Sequence, residues 1–475
     1  MIRHRHHPHP PLGRKATRAG AGLRPPVALA AAAVLTVLTV LALALPAARA
    51  AAADWNVPGP GTPTLAAALE RARDGDRIVI APGTHAGRVV VTRAVRLEAA
   101  AGGPRPVIDG GGEGRVLELR APGSAVRGLT LRNSGDRMEG PDACLYVHQD
   151  ATGARVLDNR LEDCAFGVWV NGTAGVELAH NVIRGRPHRI FSDRGNGINL
   201  WQIRDGHIHD NDIARTRDGV YLSVTVDSVV ARNRMRDLRF GVHYMYSDHN
   251  RVEGNVTCDS QVGMALMFSK RLEIRDNVAL RNRDHGILFR SILDSRIEGN
   301  RVEGNHKGLF LNDASFNEIH GNRVADNAIG VHITGGSGDN RVTGNAFVHN
   351  AVQVRYAWNY PVQWDDGRAG NYWSDYLGWD LDGDRVGDRA FYASGRMDRL
   401  VFRYPLLKVL ASSPVVVMMQ ALEARFPVLR PPGVVDRRPA LRPAGLRGAA
   451  AEAAGPDEIC GAPRGPVTTN LGEAS

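Results

Sequence analysis

The chain has 475 residues, with 53 glycines, 26 prolines and few aromatics, a composition suited to many short strands and tight turns rather than long helices. Its formal charge of +9 is concentrated at the start: seven of the 59 basic residues and none of the 50 acidic ones precede residue 51, leaving 52 against 50. A nearly neutral remainder excludes a phosphate-backbone partner, so no nucleic-acid role is implied.

Residues 1–50 read as a signal peptide. A basic stretch ends at Arg24, an apolar run extends from Val27 to Leu45, and Pro46 precedes the small-residue pattern Ala48-Arg49-Ala50. The run is long enough to span a bilayer, so an uncleaved anchor is the rival reading. Either way the rest of the chain is expected to be exported. His4, His6, His7 and His9 precede the apolar run and would be lost with the leader.

Leu65–Arg73 predicts a short amphipathic helix, an N-terminal cap for the strands beyond it. Asp74-Gly75-Asp76 then turns into a strand at Ile78-Val79-Ile80, and less regular strands continue through Val89–Val91 and Val107-Ile108. From there one unit recurs: a glycine, an apolar-x-apolar pair, a turn, a short apolar strand and an asparagine. The glycines are Gly167, Gly197, Gly219, Gly241, Gly263, Gly286, Gly308 and Gly330, spaced by 22 or 23 after a first interval of 30. The asparagines Asn159, Asn181, Asn211, Asn233, Asn255, Asn277, Asn300, Asn322 and Asn345 keep the same step.

Period-two alternation within a unit this short indicates an all-β right-handed parallel β-helix, with coils of about 22 residues. Stacking buries a continuous core, and the asparagine column bonds from coil to coil. The eight-residue excess around Arg186–Phe191 is expected to protrude. Cys144 and Cys164 fall 20 residues apart, in adjacent coils, and are expected to pair; Cys258 reads as a small buried apolar residue.

The alternation also fixes two outward columns. Two places after each glycine stand Trp169, Asn199, Tyr221, His243, Ala265, Leu288, Phe310 and His332. Four places after stand Asn171, Trp201, Ser223, Met245, Met267, Arg290, Asn312 and Thr334. Met245 and Met267 are therefore neighbours, about 4.8 Å apart. With His243 beside them and His285 in a nearby turn, they form a candidate copper site, since thioether and imidazole suit Cu(I). A hydrophobic docking patch is the alternative, and a handover surface could serve both purposes. Outward strand positions carry almost no acids.

After Asn345 the composition changes. Asn371-Tyr372-Trp373-Ser374-Asp375-Tyr376 is followed by an aspartate run. Asp380, Asp382, Asp384 and Asp388 make that run a candidate calcium loop, although it lacks the final glutamate of a helix-loop-helix site. An Asp/Gly turn closed by ordinary hydrogen bonds is the other reading. The stretch from Leu406 to Phe426 reads as an apolar-sided helix, and Phe426-Pro427-Val428-Leu429-Arg430-Pro431-Pro432-Gly433 closes it.

The Asn-Tyr-Trp block, the aspartate run and the Phe-Pro-Val-Leu segment together resemble the NosD family, periplasmic β-helix accessory proteins of nitrous oxide reductase maturation, over Trp55–Asp436. The resemblance implies a non-enzymatic factor. Its partners would be an ABC transporter ATPase and permease, a copper-carrying lipoprotein and nitrous oxide reductase, and the permease would hold it at the membrane. Expected docking residues are Trp169, Tyr221 and Phe310 on the outward column, with Phe426 and Arg430 in the closing segment. The expected organisation is a β-helix with its cap over 54–365, a capping and docking region over 366–436 and a disordered tail over 437–475. A polysaccharide-binding or polysaccharide-cleaving protein is the competing reading, because the exposed Trp169, Trp201 and Tyr221 could stack on sugar rings.

Overall fold

A strand of three to six residues can bury only one face, so each coil gains its core by lying on the next. The computed structural model describes residues 52–186, 189–356, 361–393, 434–443 and 455–461, with isolated positions between 413 and 422. The expected leader, Phe426 and Arg430 lie outside them, as does nearly all of the helix expected between Leu406 and Phe426. Three parallel sheets of 14, 12 and 13 strands form a right-handed solenoid of about 14 turns. One coil shows the order. Phe166–Asn171 lies in the 12-stranded sheet, Glu177–Ala179 in the 14-stranded and Val182–Arg184 in the 13-stranded, and Ile198–Trp201 begins the next coil.

The inward residues stack in files. Val168 and Val170 pair with Ile198 and Leu200, which pair with Val220 and Leu222, and all six are fully buried. Each contributes about 1.5–3 kcal/mol on leaving water. Glycine is required where coils approach at the corner: a Cβ on Gly219 would lie 2.5 Å from the carbonyl oxygen of Gly241.

The asparagine column is a continuous buried ladder. Asn255 Nδ2 donates to Asn277 Oδ1 at 3.0 Å and to the Val230 carbonyl at 2.8 Å, satisfying backbone left unpaired at the bend. The residue before each ladder asparagine takes a left-handed conformation, supplied by Asp158, Asp210, Gly254 and Asp276 but also by His180 and Arg232. Two further ladders brace the other corners. One runs through Ser295, Asn317 and Asn340, the other through Ser260, Asn282, Asn305, Asn327 and Asn350.

At the N-terminal end the helix Leu65–Arg71 buries Leu65 and Ala68, and Thr64 caps it by accepting from the Ala67 amide. At the other end the solenoid runs past residue 365. Tyr372–Trp373 adds a strand to the 13-stranded sheet, and Asn371 continues the ladder. Trp373 closes the core between Phe347 and Phe391, at centroid distances of 4.5 and 4.7 Å.

Cys144 and Cys164 form a disulfide between adjacent coils. Cys258 differs from expectation. It ends the strand Val256–Cys258 and is joined to Cys460, at the end of a short helix Pro456–Cys460. That part of the stretch expected to be disordered is therefore held against the solenoid, where Cys258, Val278, Leu280 and Cys460 form a small apolar cluster with Ile459 against it.

Candidate functional site

The two outward columns fall in register on the 12-stranded sheet. Trp169, Asn199, Tyr221, His243, Ala265, Leu288, Phe310 and His332 pair in that order, and Met245 pairs with Met267 between Ser223 and Arg290. Their exposure is uneven. Asn199, His243, Ala265 and His332 are buried, whereas Trp169, Tyr221, Met245, Met267, Leu288 and Phe310 are half-buried.

His243 is held from behind. Its Nδ1 lies 2.9 Å from Asp218 Oδ2, and Arg239 grips the same carboxylate at 2.8 and 2.6 Å. Burial pushes the Asp218 carboxyl up, but hydrogen bonds from His243 and Arg239 overcome it and leave the group below the usual carboxylate range. Tyr221 and Phe240 flank the imidazole at 4.8 and 5.0 Å. A carboxylate on one ring nitrogen fixes the tautomer and leaves the other for a ligand, the arrangement typical of metal-binding histidines. Sequence alternation misses Asp218, because it stands just before the corner glycine, outside both outward columns.

The expected copper set separates. Met245 and Met267 are register partners, and His243 lies two residues before Met245 in the same strand. His285 does not join them. It occupies the column of Phe240, Val262 and Lys307, two coils beyond His243. It stacks instead on Phe310 at 4.9 Å, which contacts His332 at 5.0 Å with the Lys307 ammonium 4.8 Å from its centroid. Burial, reinforced by the Lys307 charge, pushes both imidazoles down to about 4.

Beside the methionines the chain exposes apolar residues at a corner that ordinarily takes Asn, Asp or Gly. Val224, Tyr246 and Phe268, in successive coils, all have left-handed backbones with φ near 52°. Val224 and Tyr246 are exposed, and Tyr246 stacks on Phe268 at 5.1 Å. A β-branched or aromatic residue costs about 1 kcal/mol or more there, so the fold carries strain to present this edge.

The aspartate loop is closed by its own backbone. Asp380 accepts from the Gly383 and Arg385 amides, Asp382 from Asp384, Asp384 from Val386, and Asp388 from Leu381. The first three carboxylates have ligand atoms within 4.8 Å of one another. These bonds account for the turn without an ion.

The expected scarcity of outward acids holds for the 12-stranded sheet and fails for the 14-stranded one. There Glu177, Glu253, Glu273 and Glu318 face outward, because alternate coils supply arginines to pair with them: Arg155–Glu177, Arg275–Glu253, Arg251–Glu273 and Arg296–Glu318. Such a face is a solvated charge lattice rather than a hydrolytic pair set across a groove.

Fold and site together define a right-handed β-solenoid whose 12-stranded sheet carries a lateral file of aromatic, histidine and methionine side chains. The family model described as periplasmic copper-binding protein (NosD) matches residues 179–378. A Pseudomonas aeruginosa protein named as a probable ABC transporter binding protein NosD is 39% identical over 78% of this chain and 89% of its own. A Stutzerimonas stutzeri protein of the same name is 34% identical over 76% and 85%. The chain belongs to the NosD family. Likenesses to solved structures are at low identity. The Dettilon tailspike protein is 12% identical with a TM-score of 0.48, over 60% of this chain and 62% of its own. A Yersinia enterocolitica exopolygalacturonase is 9% identical with a TM-score of 0.48, over 66% and 78%.

Proposed function

We propose that the protein is a non-enzymatic periplasmic factor that works with an ABC transporter to supply the copper centres of nitrous oxide reductase with copper or sulfur. The observation that carries this reading is the Asp218–His243 pair beside the stacked Met245 and Met267. A carboxylate-oriented imidazole and two thioethers make a soft, weakly charged ligand set, suited to holding Cu(I) and releasing it. The strained edge of Val224, Tyr246 and Phe268 flanks that set and offers a partner an adaptable apolar contact. A copper-carrying lipoprotein and the reductase would meet the solenoid there, while the ATPase and permease provide energy and membrane attachment.

The test is anaerobic Cu(I) titration of the exported protein, together with the copper content of nitrous oxide reductase made in cells carrying each variant. Met245→Leu with Met267→Leu is expected to abolish Cu(I) binding and to yield copper-poor reductase. Normal reductase from cells lacking this chain altogether would overturn the function. Absence of Cu(I) binding in the unaltered protein would overturn the ligand assignment.

A further inference from the structure

A second ligand cluster lies at another corner, between the 14- and 13-stranded sheets. His209 ends the strand His207–His209, Asp210 comes next in the left-handed bend, and His180 occupies the equivalent bend one coil earlier. Their ligand atoms all lie within 4.8 Å of one another. The imidazoles of His180 and His209 meet edge to face at 5.9 Å. His209 Nδ1 is 2.7 Å from Asp210 Oδ2, and its other nitrogen faces Glu177 Oε1 at 3.6 Å.

We propose that His180, His209 and Asp210 form a binding site for a divalent transition ion, Cu²⁺ most tightly and Zn²⁺ next. The donor set is imidazole and carboxylate with no sulfur, which selects borderline divalent ions over Cu(I) and over purely oxygen-liking Ca²⁺ or Mg²⁺. The surroundings carry the second half of the argument. Glu177, itself fixed by Arg155 at 2.7 Å, receives the Nε2 side of His209. That directs Nδ1 toward the side where Asp210 Oδ2 and His180 converge, as an outer carboxylate does for a metal-bound histidine. Arg232 donates to both oxygens of Asp210, at 3.0 Å to Oδ1 and 2.8 Å to Oδ2. On metal binding it keeps Oδ1 and yields Oδ2.

The corner also explains an oddity of the repeat. Along the ladder this position is mostly Asp or Gly, residues that tolerate a left-handed backbone, yet His180 is held there at φ 57°. His207, two residues before His209, faces Asp205 instead at 3.4 Å and stands outside the cluster. The site is on different sheets from Met245 and Met267, so the solenoid offers a soft site and a harder one on separate edges. This inference does not depend on the proposed role of the methionine site.

The exported protein, purified without an affinity-tag histidine run, is titrated with Cu²⁺ and separately with Zn²⁺, and the Cu²⁺ form is studied by electron paramagnetic resonance. One Cu²⁺ with nitrogen coupling from two imidazoles is expected. His180→Asn with His209→Gln should remove that ion from the stoichiometry while far-ultraviolet circular dichroism stays unchanged; Asn suits the left-handed bend. Glu177→Gln should weaken binding by about tenfold or more. Met245→Leu with Met267→Leu should leave the signal intact. Unchanged affinity in the double histidine variant, or loss of the signal in the double methionine variant, overturns the assignment.

Discussion

Asp436 terminates the asparagine ladder: its Oδ2 accepts from the backbone amide of Asn371 at 2.7 Å, where every earlier rung meets the side chain of another asparagine. The same oxygen accepts from Trp373 Nε1 at 2.9 Å, and Oδ1 accepts from the Arg438 amide at 3.1 Å. The carboxylate is fully buried, and burial pushes its pKa above the ordinary 3.8 despite those donors. It therefore holds its proton more tightly folded than unfolded. Its contribution to stability is greatest below 3.8 and is lost as pH rises through the higher folded value. Asp436→Ala, which strands three donors, is expected to cost about 2–3 kcal/mol in urea denaturation at neutral pH. Asp436→Asn should cost less and should remove this group's part of the pH dependence. Equal denaturation midpoints for all three proteins would refute the capping role.

Tyr244 stands in the file of inward residues between Leu222 and Leu266, and its hydroxyl has no hydrogen-bond partner among the described residues. Burial pushes that hydroxyl's pKa far up, consistent with a dry surrounding. Tyr244→Phe removes the unpaired oxygen and keeps the ring, so it is expected to raise stability by about 1 kcal/mol. A lower melting temperature in the variant would mean that the hydroxyl is satisfied after all.

The asparagine column from Asn159 to Asn345 is legible in the sequence because its period is nearly constant. The two companion ladders are not, since serine interrupts one at Ser295 and begins the other at Ser260. Asp436 lies beyond reach of any periodicity: it joins the ladder 65 residues after Asn371 in sequence, and nothing local marks it. Of the site, Met245, Met267 and His243 follow from alternation alone, because outward positions repeat with the coil. His285 does not, because the corner glycine breaks the alternation and moves its neighbours onto a third outward column. The same break hides Asp218.

The orienting role of Asp218 predicts that Asp218→Asn weakens Cu(I) binding by about tenfold or more while both methionines remain in place. Direct ligand loss, as in Met245→Leu with Met267→Leu, should be more severe. The comparison uses competition with a Cu(I) chelator under anaerobic conditions. Equal affinity in Asp218→Asn and the unaltered chain would remove His243 from the site.

His285 supplies a pH dependence of the opposite sign to that of Asp436. Its pKa is pushed from an ordinary 6.5 to about 4 by burial first and by the Lys307 ammonium next. The folded ring stays neutral while the unfolded ring takes up a proton. The stability it contributes is complete above 6.5 and declines as pH falls toward 4. His285→Gln is expected to flatten the fall in denaturation midpoint between those values. An unchanged slope would show that His285 titrates normally.

Cys258 and Cys460 close a loop of 202 residues, and the helix Pro456–Cys460 rests on Val278 and Leu280 through Ile459. A cross-link over so long a loop restricts the unfolded chain strongly, by about 5 kcal/mol on chain-entropy grounds. The helix is too short to persist unaided. Arg281 and Arg234 add polar contacts, Arg281 to Asp457 and to the Gly461 carbonyl at 2.8 Å, and Arg234 to the Ile459 carbonyl. These are exposed and weak beside the covalent link. Cys460→Ser should therefore release the segment and uncover Val278 and Leu280, while Cys144–Cys164 and the coils above and below remain intact. Limited proteolysis is expected to cut near residue 455 in the variant at protease levels that spare the oxidised protein. Equal resistance in both would mean that the side-chain contacts hold the segment without the disulfide.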